Sequence, residues 1–255
     1  MLALNGYGRG VLAIAAVVPD TALLVPGAAG RALVLDEVRV AAVDAVREVV
    51  LAAPDRVVVV APGPVDRVLD PPGRPSLAAA GVDDAALGWQ PAGPASGGAG
   101  PGVGASVALL LLAHSGWAGP VTVVEVAPGG RDGSRVGGLR TVGVELAAEP
   151  GRLALLVAGS LSARHGPAAP LADDERAVPL DAAICDDLAA GDPPAMWRLG
   201  AIPGSLAADL AVTVWAPLQV LLGAAADAGP LQSAVRHRAA PFGVTYLVAL
   251  WRAQQ

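Results

Sequence analysis

Val11-Leu12-Ala13-Ile14-Ala15-Ala16-Val17-Val18-Pro19-Asp20-Thr21-Ala22-Leu23-Leu24-Val25-Pro26 is the stretch whose reading decides the fold. Val11–Val18 is an unbroken apolar run, as expected of a strand buried on both faces of a parallel sheet. Pro19 and Asp20 stop the run, and a short loop leads back to Leu23-Leu24-Val25-Pro26. Downstream, Leu35, Val38, Val43, Val46 and Val50 recur near helical spacing and predict a helix over Ala32–Ala53, which Pro54 closes. Arg56–Ala61, with four consecutive valines, predicts a second buried strand.

From 62 to 104 the chain is broken by Pro62, Pro64, Pro71, Pro72, Pro75, Pro91, Pro94 and Pro101 and by a Gly-rich run. This is the signature of a long loop, with a short helix expected within Val68–Val82. Alternation then resumes. Helices are predicted at Ala105–Trp117, Leu139–Ala148 and Val178–Ala190, and strands at Val121–Val126 and Leu153–Ala158. Gly129–Gly138 reads as a turn, and a helical region broken at Pro203 and Pro217 runs to about Ala226. Gln232–Ala239 and Phe242–Trp251 read as a terminal hairpin. The pattern predicts one α/β domain over 1–255. Its architecture is a three-layer α/β/α sandwich with a central mixed, mostly parallel sheet and a C-terminal antiparallel hairpin. In such sheets the loops after the carboxyl ends of the strands build the site, so the loops after Val18, Val60, Val126 and Ala158 are the ones to watch.

Composition narrows the function. All 17 basic residues are arginine, against 23 acidic ones, and the net charge is −6. That balance, with basic residues scattered except at Arg236-His237-Arg238, argues against nucleic acid as a partner. Mean hydropathy is high, at +0.55. The longest apolar runs, Val11–Val18 and Val107–Ala113, nevertheless fall short of the roughly 20 residues of a membrane span. Arg9 followed by an apolar run resembles a signal peptide. No small-x-small cleavage pattern follows, so the reading is a first strand in a cytoplasmic protein. Cys185 is the single cysteine; it sits among apolar helix positions and reads as a core thiol.

Read for chemistry, Asp20 at a strand end is a ligand or base, or else a turn residue or helix cap. His165 is a general acid/base candidate, or else a solvated loop histidine beside Arg164. Ser160 and Ser162 invite a nucleophile reading, although no Gly-x-Ser-x-Gly elbow occurs. Asp173-Asp174-Glu175 offers, with Asp20, a weak oxygen-rich site, or else the first turn of the next helix. His114 reads as a helix-end residue, and His237 lies between two arginines. The Gly98–Gly104 run before a helix lacks the spacing and the lysine of a Walker A loop.

Several segments in order resemble the class III extradiol dioxygenase B-subunit (LigB-like) superfamily. Pro19–Pro26 is similar to the family's Pro-His-Pro-Pro-Leu-Leu-Val-Pro loop, whose His is an iron ligand; Asp20 stands at that position here. Ala61-Pro62-Gly63 is similar to a strand end reading Ser-Pro-His, the second ligand, with Gly63 at the His position. Gly159-Ser160-Leu161-Ser162-Ala163 resembles Gly-Asp-Leu-Ser-His, with His165 two residues beyond. Gly116–Val121 and Ala240-Pro241-Phe242-Gly243-Val244-Thr245-Tyr246-Leu247-Val248 complete the series, the latter similar to the ending of actinobacterial B-subunit-like proteins.

The resemblance implies non-heme iron and oxidative cleavage of a catechol-like ring, which needs two histidines and a carboxylate with open positions. With Asp20 and Gly63 at the ligand positions, the leading expectation is a family member that lacks the iron site, working as a pseudoenzyme or interaction module with no cofactor. The alternatives are an active dioxygenase whose Fe2+ is held by other residues, or a metal-free hydrolase or lyase using Asp20, His165 and Ser160. A small aromatic ligand and a homodimer are the implied partners.

Overall fold

The computed structural model describes residues 10–32, 34–90, 100–128 and 135–254. The strands are β1 (Val11–Val18), β2 (Arg56–Pro62), β3 (Arg67–Leu69), β4 (Val121–Val126), β5 (Arg152–Ala158), β6 (Leu231–Ala239) and β7 (Tyr246–Ala253). The helices are α1 (Asp36–Leu51), α2 (Val103–His114), α3 (Arg135–Ala148), α4 (Ala177–Ala190), α5 (Pro193–Ala201), α6 (Gly204–Asp209) and α7 (Trp215–Ala225).

The strands form one sheet in the order β3-β4-β2-β5-β1-β7-β6. Its centre, β4-β2-β5-β1, is parallel. β3 is antiparallel to β4 at one edge, and β7 and β6 continue antiparallel from β1 at the other. The fold is therefore α/β with a mixed sheet, a parallel core and a C-terminal antiparallel hairpin, as the alternation predicts.

Alternate side chains of each central strand enter two different cores, which explains the continuous apolar runs. Val58, Val60, Leu155 and Val157 pack with α3, α4, α5, α6 and α7. Val57, Val59, Leu156 and Ala158 pack with α1 and α2. Each fully buried Val or Leu contributes about 1.5–3 kcal/mol. The four valines of β2, all inaccessible, thus bind its register strongly. Helix α1 begins with Asp36 and Glu37, where negative charge suits the dipole, and buries Val38, Ala42, Val46 and Val49 along one stripe.

Three local expectations change. Val68–Val82 holds no α-helix: Arg67–Leu69 pairs with β4, and only short 3-10 turns follow at Ala78–Ala80 and Asp84–Ala86. Leu77, Leu87 and Trp89 are buried, so the described part of the 62–104 segment is packed against the α1–α2 core. Helix α3 starts at Arg135, inside the stretch read as a glycine turn, whose residues 129–134 lie outside the described set. Pro217 does not break a helix, because it falls in the first turn of α7, where its missing N–H has no helical acceptor. Among the described residues no helix is long and apolar enough to cross a membrane.

Candidate functional site

The site follows from register. Val18 of β1 pairs with Ala158 of β5, and Gly159 N–H donates to Val18 O at 2.9 Å. Asp20 and Ser160 each lie two residues past that last pair on neighbouring parallel strands, so they meet. Ser160 Oγ donates to Asp20 Oδ1 at 2.6 Å. Thr213 fixes the Ser160 backbone: its hydroxyl accepts from Ser160 N–H at 2.8 Å and donates to Ser160 O at 3.3 Å. Gly159 passes so close to the segment before α7 that a Cβ there would stand 2.4 Å from Val214 Cα. On the other side of Asp20, the first turn of α2 closes in, and a Cβ on Gly104 would lie 3.0 Å from Asp20 Cβ. Thr21 lies near the buried Tyr246 hydroxyl at the start of β7. Burial pushes that phenol up; Thr21 opposes the shift and the Asp20 carboxylate adds to it.

His165 does not join Asp20 and Ser160. Its Nε2 lies 2.9 Å from Asp181 Oδ2 and 3.3 Å from Thr245 Oγ1, and its backbone N–H donates to Gly243 O. Asp181 comes from α4 and is fully buried, and its Oδ1 accepts from Ser162 N–H at 3.1 Å. Burial pushes the Asp181 carboxyl up; the nearby Thr245 hydroxyl, the Ser162 amide bond and the neighbouring His165 oppose the shift, and Oδ2 itself has no hydrogen-bond partner. Ser162 Oγ donates to Leu210 O and accepts from Arg164 N–H, so it is committed to the loop. The Asp20–His165–Ser160 set is thus two pairs, Asp20 with Ser160 and His165 with Asp181.

Gly63 ends the β2 loop against a fully buried Glu125 from β4. Glu125 Oε1 accepts from Gly102 N–H at 2.6 Å and Oε2 accepts from Arg67 Nε at 2.6 Å. The Gly102 amide at the start of α2 is therefore already taken by Glu125. The acidic triplet stays apart from Asp20. Asp173 accepts from Gly166 N–H, and Asp174 holds Arg176, whose hydrogen bonds lower its carboxyl to about 2. His114 stacks on Trp89 with ring centres 4.4 Å apart. Cys185 is buried in the core, its thiol pushed up to about 11 by burial.

An iron centre of the kind the resemblance implies is a poor fit to these side chains. Asp20 is bonded to Ser160, Gly63 brings no donor, and His165 is held on Asp181. Among the described residues no group of three or more His, Cys, Asp or Glu side chains is arranged to hold a metal.

Asp181, Glu125, Thr213, Thr245 and Tyr246 were not singled out from sequence. Asp181 does leave a signal: it occupies the Ala177, Asp181, Ile184, Cys185, Leu188 stripe, where an acid is out of place on an apolar face. Glu125 interrupts the apolar strand Val121–Val126 in the same way.

No protein-family model matches the chain, and no curated protein matches it. Among solved structures, an uncharacterized protein from Escherichia coli K12 is similar over 94% of this chain and 99% of its own, with a TM-score of 0.51 and 14% identity. That likeness concerns the fold.

Proposed function

We propose that the chain is a divergent LigB-like protein that keeps the α/β frame, has no iron chemistry, and works as a binding or interaction module. The observation that carries this reading is the Ser160–Asp20 bond of 2.6 Å at the position of the first family ligand. A carboxylate that accepts a short hydroxyl bond, beside a glycine at the second ligand position, is a structural element of the strand-end loops. A small aromatic ligand, a homodimer and a cytoplasmic location belong to the same proposal. The test is elemental analysis of the purified protein after iron and zinc loading and desalting. Trace metal is expected, and near-stoichiometric metal would overturn the reading.

A second reading is favoured by one observation, the His165–Asp181 contact of 2.9 Å. A histidine held by a buried carboxylate is suited to metal-free proton transfer. Under that reading a turnover assay is insensitive to chelator and is lost in His165→Ala, whereas the module reading expects binding to survive the substitution.

A further inference from the structure

A cavity of about 740 Å³ opens at the end of the sheet where β1 and β5 begin. Arg152, the first residue of β5, and Arg252 of β7 both line it, and among the described residues no carboxylate does. Arg152 pairs with Val11 and Arg252 with Ile14 on β1, which alone separates β5 from β7. The two side chains are rooted two strand spacings apart, roughly 10 Å across the sheet, and offset by the step from Val11 to Ile14. Both turn to the α1 side. Arg152 Nη2 donates to Ala52 O at 3.2 Å, and Arg252 Nη2 donates to Glu48 Oε2 at 3.2 Å.

Positive charge is in surplus there, in a chain whose net charge is −6. Glu48 is shared, since Arg236 Nη2 donates to its Oε1 at 2.8 Å. Among the described residues Arg152 belongs to no ion pair; Asp55 accepts from its backbone N–H instead, at 2.7 Å. Three guanidinium groups thus stand around two carboxylates. Each lining arginine gives one nitrogen to the protein out of five N–H donors. The others are within a ligand's reach, because Arg152 is exposed and 39% of the Arg252 side chain is accessible. Gln232, directly opposite Arg252 on β6, adds an amide to the same face. Such donors bind an ionised acceptor most strongly. One guanidinium fork satisfies both oxygens of a carboxylate, whereas a phosphate monoester brings three oxygens and a charge of about −1.5 to −2, enough for forks from two directions. The cavity has the size of a small-molecule site rather than of a bare ion, and Val11 and the 81% exposed Leu51 give it an apolar wall.

We propose that this cavity binds a small phosphate monoester, its phosphate between Arg152 and Arg252 and its apolar body on Val11 and Leu51. A carboxylate of the same size binds less tightly. The inference is independent of the function proposed for the strand-end loops, because the cavity lies at the opposite ends of β1 and β5 and includes none of Asp20, Ser160 and His165.

The experiment is amide-resolved NMR titration of the full chain at neutral pH with phenyl phosphate, inorganic phosphate, benzoate and benzyl alcohol. Phenyl phosphate is expected to shift the amides of Val11, Ala13, Leu51 and Ala52. It should bind about tenfold more tightly than benzoate, the ratio that one further charge-assisted hydrogen bond supplies. Inorganic phosphate should bind more weakly than the ester, and benzyl alcohol should leave these amides unmoved. Arg152→Gln removes from the fold only the bond to Ala52 O and is expected to weaken phenyl phosphate about tenfold. Leu51→Glu sets a carboxylate in the lining at an exposed position, so it folds and abolishes binding. Arg47→Gln makes the same change of charge at an exposed pair elsewhere on α1 and leaves the affinity unchanged, which a general charge effect would not produce. No shifts around the cavity at millimolar phenyl phosphate, benzoate or inorganic phosphate binding as tightly as the ester, undiminished binding to Arg152→Gln or Leu51→Glu, or an equal loss in Arg47→Gln each overturns the proposal.

Discussion

Replacing Asp181 by asparagine separates the charge of this buried group from its shape. The carboxyl accepts from Ser162 N–H and faces His165 Nε2, and it is inaccessible to solvent. Asparagine keeps an acceptor for Ser162 and removes the buried charge. Because burial raises the folded-state value, the folded chain holds this proton more tightly than the unfolded chain. Below the unfolded carboxylate value of about 3.9 the neutral acid contributes its stability in full, and that contribution is lost as pH rises through the folded value. The variant has no such proton. The stability of Asp181→Asn relative to wild type therefore climbs from about pH 4 upward, with a slope of at most ~1.4 kcal/mol per pH unit, and levels off above the folded value. Carboxylates elsewhere are common to both proteins and cancel in the difference. Urea unfolding at closely spaced pH values below the histidine range measures it directly. Asp181→Ala supplies the contrast. It strips the acceptor from the buried Ser162 amide, at about 1–3 kcal/mol for a donor left unpaired. A net loss of roughly 1–2 kcal/mol is expected once the relief of the buried charge is included. For a chain of this size that lowers Tm by roughly 2–8 °C. A pH-independent Asp181→Asn difference, together with an Asp181→Ala variant as stable as wild type, would refute the account of this cluster.

Gly159→Ala places a Cβ 2.4 Å from Val214 Cα, a backbone atom that has no easy retreat, so a loss of roughly 2–4 kcal/mol in denaturant unfolding is expected. Wild-type stability would mean that the approach of β5 to the segment before α7 is looser than described. Glu125→Gln can satisfy only one of its two donors, Gly102 N–H or Arg67 Nε, because the other then faces an NH2 group. A loss of about 1–3 kcal/mol is expected, with faster trypsin cleavage after Arg67. Unchanged cleavage would show that Glu125 does not hold the segment.

The central strands were legible because their signal is local. A run such as Val57–Val60 has no other economical place than a doubly covered strand. The β3 edge was not legible, since three residues with one exposed valine become a strand only because β4 offers an unpaired edge. Asp20 and Ser160 were both chosen from sequence, but their contact depends on β5 lying beside β1, although α3 and β4 precede it in the chain. His165 was chosen as well; the group beside it, Asp181, stands out as an acid on the apolar stripe of α4, but nothing local says which loop that stripe meets. Pairing that depends on strand order or helix docking leaves little trace in a single sequence.

Under the proposed LigB-like reading, Asp20→His with Gly63→His places histidines at the family's two ligand positions, and a metal site would follow if space there were free. The space is not vacant, however. A Cβ on Gly63 would lie 2.8 Å from Glu125 Cβ and 3.1 Å from Glu125 Oε2, and both Glu125 oxygens are already bonded to Gly102 and Arg67. The buried carboxylate and its two donors occupy the volume that a side chain at 63 needs. The double variant is therefore expected to lose stability and to bind no zinc in a chromophoric chelator competition. Adding Glu125→Ala to it opens the volume and should raise zinc affinity measurably, because two histidines then meet no carboxylate latch. Zinc bound tightly by the double variant alone would show that Glu125 yields easily. The segment from Arg67 to Gly102 would then be held by its apolar contacts at Leu77, Leu87 and Trp89 rather than by this carboxylate.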